Sequence, residues 1–323
     1  MTNTRQPNIL AIHTGGTISM QENELGLVST QASNPLAQIE QQSVNLTNIE
    51  LLNKPSPHIN FNDMHLIMDT VFSNYDQYDG FVITHGTDTL EETAYYLLET
   101  LPHDKPVAIT GAMRSSNEIG SDGLYNFLSA IRVVSDTNPL NKGVYIVFND
   151  EVHDAKYVTK SHTTNTNTFQ SPNHGPVAII TKDKIVYFHE PSINTHHHVK
   201  KSIHSNIALL KAYVGMDSEL LTYIAHSNYN GVVIEALGQG NLPPNTLNGL
   251  YELKKQNIPV VILSRCINGI VGGYYNYKGG GHDLIKYDVI FSYNINAVKS
   301  RILLGLLLEN EVNHEDMAFY FSS

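Results

Sequence analysis

Short apolar runs alternate along most of the chain with stretches in which apolar residues recur every three or four positions. A short apolar run bounded by turn residues predicts a buried strand, and the longer spacing predicts a helix with one buried face. The predicted strands are 8–13, 80–84, 106–110, 143–148, 207–213, 231–235 and 259–263. The predicted helices are 91–101, 122–135, 218–228, 246–256 and 296–309. The first of these helices follows a Ser/Thr-x-x-Glu spacing from Thr89 to Glu92, which predicts a capping box.

Alternation of continuous apolar strands with helices is typical of a parallel sheet that is covered on both faces. We therefore predict an α/β protein with a larger N-terminal parallel-sheet domain, carrying helices on both faces, and a smaller C-terminal α/β domain. A predicted hairpin over 177–188 ends the first domain, and the polar stretch that follows has no apolar period. The predicted boundaries are 1–190 for the N-terminal domain, 191–205 for a linker and 206–323 for the C-terminal domain.

Composition narrows the classes of protein. The 323 residues carry a formal net charge of −11 and no run of basic residues, which disfavours nucleic-acid binding. The longest apolar run, 302–308, is too short to cross a bilayer, and the first residues lack the apolar stretch of a signal peptide. One cysteine, Cys266, excludes an internal disulfide and any site with several cysteines. We expect a cytoplasmic protein that contacts neither membrane nor nucleic acid.

Polar residues that could take part in a chemical reaction follow three of the predicted strands. Thr14-Gly-Gly-Thr17 follows the first strand, His85-Gly-Thr87-Asp88 follows the second, and a polar segment after 143–148 reaches Lys160. The carboxyl ends of parallel strands share one edge of a sheet, where ligands bind. Glycines beside Thr17 suit a backbone that approaches a developing oxyanion closely, although a tight turn before a helix has the same pattern.

The second and third segments supply a base for a hydroxyl nucleophile, which is weak at neutral pH without one. A desolvated Lys160 coupled to Asp88 can act in this way, with Thr87 positioning a water molecule. Taken singly, Asp88 is typical of a residue at a helix start and Lys160 of a surface lysine. Their co-occurrence with Thr17 favours catalysis. The three adjacent histidines 196–198 favour a solvated linker over a metal site, and we predict no metal.

Two segments, 12–19 and 80–94, resemble the signature segments of the bacterial-type L-asparaginases. The resemblance continues in the same order through 109–114, 150–154 and 158–160, and reaches Gly238-Gln-Gly-Asn241. It therefore spans almost the whole chain. The expected absence of a signal peptide and the stretch Pro55-Ser-Pro-His58 are similar to the cytoplasmic type I branch.

The resemblance implies an L-asparaginase that hydrolyses L-asparagine to L-aspartate and ammonia without metal or organic cofactor. Thr17 resembles the nucleophile that forms a covalent β-aspartyl ester, and Thr87, Asp88 and Lys160 resemble the triad that activates the water resolving it. Backbone N–H groups near Thr17 and Thr87, Gly16 among them, would bind the oxyanion.

The same resemblance assigns substrate contacts and an assembly. Asp88 resembles the carboxylate that pairs with the substrate α-ammonium, and Ser56 the residue that binds the α-carboxylate. Asn241 resembles a residue that reaches the site from a neighbouring subunit, so a homodimer or homotetramer is implied. From the sequence alone, a turn residue after Gly240 explains Asn241 equally well.

One departure and two alternatives remain. Many relatives carry a tyrosine in the loop after the first signature, whereas 19–34 has none and Leu27 falls near the expected place. This loop is still typical of a lid that orders when substrate binds.

The alternatives are the amidase component of a transamidation complex and an amino-acid-binding protein without activity. The first normally carries an extra N-terminal domain, and the second has no need of both threonines.

Overall fold

The computed structural model of the chain describes residues 5–30, 34–39, 41–193 and 202–322. The chain divides into two compact units, Met1–His197 and His198–Ser323. The predicted linker 191–205 spans this division, but the middle of it, including the three histidines, lies outside the described residues. Its boundaries therefore stay a prediction. None of the described helices combines the length and the apolarity needed to cross a membrane.

The first unit is built on one large sheet, to which eight of its described strands belong. Its strands are β1 (Asn8–His13), β2 (Met20–Glu22), β3 (Val28–Thr30), β4 (Asn45–Glu50), β5 (Gly80–Thr84), β6 (Pro106–Thr110), β7 (Gly143–Phe148), β8 (Glu151–Asp154), β9 (Thr159–Lys160), β10 (Phe169–Gln170), β11 (Ala178–Ile180) and β12 (Ile185–Tyr187). Its helices are α1 (Phe61–Ser73), α2 (Leu90–Thr100) and α3 (Gly123–Val134). Eight strands form the sheet in the order β12-β11-β8-β7-β6-β5-β1-β4.

Five of these strands, from β7 to β4 in the sheet order, run parallel; β1, β5, β6 and β7 are predicted from the sequence and β4 is not. Burial explains the apolar runs that predict them. On one face Ile9, Ala11 and Val82 pack in a cluster with Phe127 of α3, while the alternate residue Leu10 is also fully buried. Both faces of β1, β5, β6 and β7 are thus covered. The predicted hairpin over 177–188 is confirmed as β11 and β12. The sheet differs from the prediction in that this hairpin and β8 extend it at one end with antiparallel strands.

The second unit is a smaller α/β unit. Its strands are β13 (Ile207–Lys211), β14 (Gly231–Ala236), β15 (Val260–Ser264) and β16 (Ile290–Phe291). Its helices are α4 (Glu219–Ala225), α5 (Leu247–Lys255), α6 (Gly281–Leu284), α7 (Ala297–Glu309) and α8 (His314–Ser322). The four strands form a parallel sheet in chain order, so the α/β class predicted for both parts of the chain is confirmed.

Helix α2 carries a stripe of buried polar side chains. Glu91, Tyr95 and Glu99 are four residues apart and are 7 %, 1 % and 8 % exposed, so they share one face of the helix. Burial raises the pKa of the Glu99 carboxyl to about 7, although a hydrogen bond from Tyr95 and the charge of Lys156 act in the opposite direction. Glu99 therefore takes up a proton on folding between its ordinary pKa and neutrality.

This uptake predicts how Glu99→Gln changes stability with pH. Because the folded pKa is raised, the wild type loses stability as pH rises from about 4.5 to 7, and the loss is complete above pH 7. The variant lacks this loss, so its free energy of unfolding should exceed that of the wild type by up to about 3 kcal/mol at pH 8. At pH 4.5 the two should be equally stable. Urea unfolding at several pH values tests this, and a gap that does not change with pH would contradict it.

Candidate active site

The topology marks one place in the first unit for a ligand. Strands β1 and β5 are neighbours in the sheet, yet the chain leaves β1 for β4 on one side and β5 for β6 on the other. Such a switch point opens a crevice at the carboxyl ends of the two strands. The loops 14–17 and 85–88 begin there, one after each strand.

The two loops touch through backbone atoms. A Cβ added to Gly16, which has φ +86°, would lie 2.4 Å from the N and Cα atoms of Gly86. A Cβ on Gly86 would in turn lie 2.7 Å from the side chain of Ser56. A larger residue at Gly16 would therefore push the two loops apart, and one at Gly86 would displace Ser56. Since Thr17 and Thr87 each follow one of these glycines, the contact holds both threonines at the same crevice.

Buried, neutral histidines fix the strand ends that precede these loops. His85 is fully buried; its Nδ1–H donates to the Gly86 carbonyl at 2.8 Å, and its Nε2 accepts from the Thr93 hydroxyl, 3.0 Å away. Burial lowers the pKa of His85 to about 4. In the same way burial lowers the pKa of His13, whose Nδ1 lies 3.0 Å from the Thr84 hydroxyl. Both rings therefore serve as uncharged hydrogen-bonding groups at neutral pH.

Three of the four predicted catalytic residues are in direct contact. The Lys160 Nζ donates to the Thr87 hydroxyl at 2.9 Å and to Asp88 Oδ1 at 2.6 Å. The Lys160 side chain is 15 % exposed, whereas the Asp88 side chain is 59 % exposed. The ammonium group is thus largely shielded from water, and the carboxylate stays open to a further ligand.

The fourth, Thr17, starts a 3₁₀ turn at Thr17–Ser19 and is partly exposed. Ser56 lies against the loop 85–88. Its hydroxyl accepts from the Asp88 N–H at 3.2 Å. Thr89 donates its hydroxyl to the Ser56 carbonyl at 2.9 Å and makes no capping bond to α2. The predicted capping by Thr89 is therefore wrong, because this hydroxyl ties the Ser56 turn to the helix start instead.

The predicted lid is a β-hairpin over much of its length. Strands β2 and β3 pair antiparallel, and the Asn117 side chain bonds the backbone of Glu22 at 2.9 and 2.7 Å. Leu27, where many relatives have tyrosine, is 62 % exposed. Whether this hairpin moves when substrate binds stays a prediction.

Asn241 lies in the second unit, in the turn after β14. Its backbone pairs with Leu237, and its side-chain oxygen accepts from the Gly281 N–H at 3.0 Å. The residue thus has the turn role that the sequence allows, with its side-chain amide fixed by α6. A role in the site of another subunit stays a prediction.

The sequence predicts no role for Glu91 beyond the helix start. Its Oε1 accepts from the backbone N–H of Lys160 and from the Thr159 hydroxyl, both at 3.0 Å. The only signal in the sequence for this role is that Glu91 lies three residues after Asp88. Its partners lie 68 and 69 positions further along the chain, so no local pattern reveals the contact.

Comparison with known proteins gives two family models that match this chain. "Asparaginase, N-terminal" matches residues 8–193, and "Glutaminase/Asparaginase C-terminal domain" matches residues 206–321. Together they cover both units and every residue of the cluster described above.

Curated relatives match over nearly the full length. An "L-asparaginase" from Bacillus licheniformis is 30 % identical over 93 % of this chain and 95 % of its own length. A "Probable L-asparaginase" from Deinococcus radiodurans is 34 % identical over 98 % of this chain and 97 % of its own. A "Probable L-asparaginase periplasmic" from Haemophilus influenzae is 32 % identical over 98 % and 92 %, respectively.

Proposed function

Because this chain belongs to the asparaginase family, we propose that it is an L-asparaginase that hydrolyses L-asparagine to L-aspartate and ammonia. The observation that carries the proposal is the contact of the Lys160 Nζ with both Thr87 and Asp88. A protein that only binds an amino acid has no need of a shielded ammonium group on a threonine hydroxyl. An amidohydrolase does, because a water molecule or hydroxyl must lose a proton during the reaction, and the Nζ of Lys160, in its neutral amine form, can accept that proton through the Thr87 hydroxyl.

The reaction has two steps. The Thr17 hydroxyl attacks the side-chain carbonyl carbon of asparagine, the C–N bond breaks, and ammonia leaves with the hydroxyl proton. A water molecule activated at Thr87 and Lys160 then attacks the β-aspartyl ester, and breaking the ester C–O bond restores the Thr17 hydroxyl. Backbone N–H groups around Gly16 and Thr87 stabilise the oxyanion in both steps.

The charged end of the substrate binds at Asp88 and Ser56. Asp88 Oδ1 contacts Lys160, and its largely exposed carboxylate has room for the substrate α-ammonium. The Ser56 oxygen accepts from the Asp88 N–H, so its own proton is available for the substrate α-carboxylate. Opposite charges at one end of a small zwitterion orient its amide toward Thr17.

We further propose that the active unit is a homodimer or homotetramer, in which Asn241 of one subunit completes the site of another. No metal or organic cofactor takes part in the proposed reaction. The resemblance to the type I branch supports a cytoplasmic location, although the name of the Haemophilus influenzae relative says periplasmic.

Loss of the nucleophile tests the activity. Thr17→Ala should lower ammonia release from asparagine by several orders of magnitude, because the covalent route is lost. Thr17→Ser keeps a hydroxyl and should retain measurable turnover. The same assay with glutamine should give lower rates, although one methylene accounts for only about 10–200-fold by fit alone. Near-normal turnover by Thr17→Ala would refute the assignment.

Mixing two inactive variants tests the shared site. Asn241→Asp keeps the oxygen that accepts from Gly281 but removes the amide donors, and Thr17→Ala removes the nucleophile. After random subunit exchange, about a quarter of the wild-type sites should be restored, because half of the dimers are mixed and each holds one intact site. No recovery in dimers shown to be mixed would contradict a contribution across subunits.

A further inference from the structure

We infer that Glu91 is a positioning residue for Lys160, which it holds by the backbone so that the ammonium group reaches Thr87 and Asp88. The inference rests on the proposed function for its catalytic consequence. Its geometric part, that Glu91 sets the place of Lys160, is independent of any activity.

The contact is a buried, charge-assisted one. Glu91 is the second residue of α2 and is 7 % exposed, and its Oε1 accepts from Lys160 N and Thr159 Oγ1 at 3.0 Å each. A buried carboxylate needs hydrogen bonds to offset its lost hydration, and bonds to an ionised acceptor are stronger than neutral ones. The first turn of a helix also favours a negative charge. Glu91 is therefore a firm anchor for the segment that it binds.

The segment that carries Lys160 has little other support from regular structure. Strand β9 is two residues long and pairs only with β10 in the described part of the chain, outside the eight-stranded sheet. On the β10 side, Phe169 is buried and its ring centroid lies 5.1 Å from that of Phe148. The backbone of Lys160 is thus held by β10 on one side and by Glu91 on the other.

One short segment binds Lys160 at both of its ends. Thr87 and Asp88 accept from the Nζ, and Glu91 accepts from the backbone N–H of the same residue. Because residues 87–91 form the start of α2 and the loop before it, the distance between these acceptors is set locally. The long, flexible lysine side chain is therefore fixed at both ends in one geometry.

Three variants separate positioning from a general effect on folding. Glu91→Ala removes both hydrogen bonds and should lower kcat on asparagine by about 100-fold with a much smaller change in KM, the size of effect expected from a small misplacement. Glu91→Gln keeps an oxygen that can accept the same bonds and should recover most of that loss. Glu92→Ala, at the next position of the same helix, controls for loss of a carboxylate from its first turn and should keep near-normal kcat.

Crystal structures of the wild type and Glu91→Ala give a readout without activity. We expect the Lys160 Nζ to leave hydrogen-bonding distance of Thr87 Oγ1 in the variant and to stay within it in Glu91→Gln. An unchanged Lys160 in Glu91→Ala, or a kcat within a few-fold of wild type, would overturn the inference. Equal losses in Glu91→Gln and Glu91→Ala would also overturn it, by assigning the effect to charge. A wild type that releases no ammonia would refute the proposed function, while the Nζ position would still decide the role of Glu91.

Discussion

The site depends on the backbone contact between Gly16 and Gly86. Two loops that leave adjacent parallel strands come so close there that Gly16 has no room for a Cβ, and Gly86 has none because Ser56 lies against it. The sheet topology brings the strand ends together, the neutral rings of His13 and His85 hold them, and the glycines let the loops meet. Because each of these glycines is followed by a threonine, the contact places Thr17 and Thr87 at the same crevice.

The second constraint is electrostatic. An ammonium group that is mostly shielded from water lies against a hydroxyl and a largely exposed carboxylate. Because the Asp88 carboxylate stays largely exposed, the pair adds little to the free energy of unfolding, which makes a functional reason for its geometry the stronger explanation. Glu91 adds a second, buried carboxylate that holds the lysine by its backbone and leaves Asp88 open to substrate.

The sequence predicts the parallel strands well because both of their faces are buried, which makes each of them a continuous apolar run. It misses β4, in which no residue is fully buried, and the hairpin β2–β3, whose residues are mostly polar. The cluster at Lys160 follows from the motifs after the strands. The partner of Glu91 does not, because an acidic residue in a first helical turn explains itself locally and the bond to Lys160 spans 69 positions.

In the proposed reaction Thr17 carries the covalent intermediate and Lys160, with Thr87, resolves it. The most direct test is mass spectrometry of Lys160→Met, quenched soon after mixing with asparagine and digested to peptides. A β-aspartyl ester should accumulate on the peptide containing Thr17, together with almost no steady-state release of ammonia. An ester on the peptide containing Thr87, or undiminished turnover with Thr17 unmodified, would contradict it.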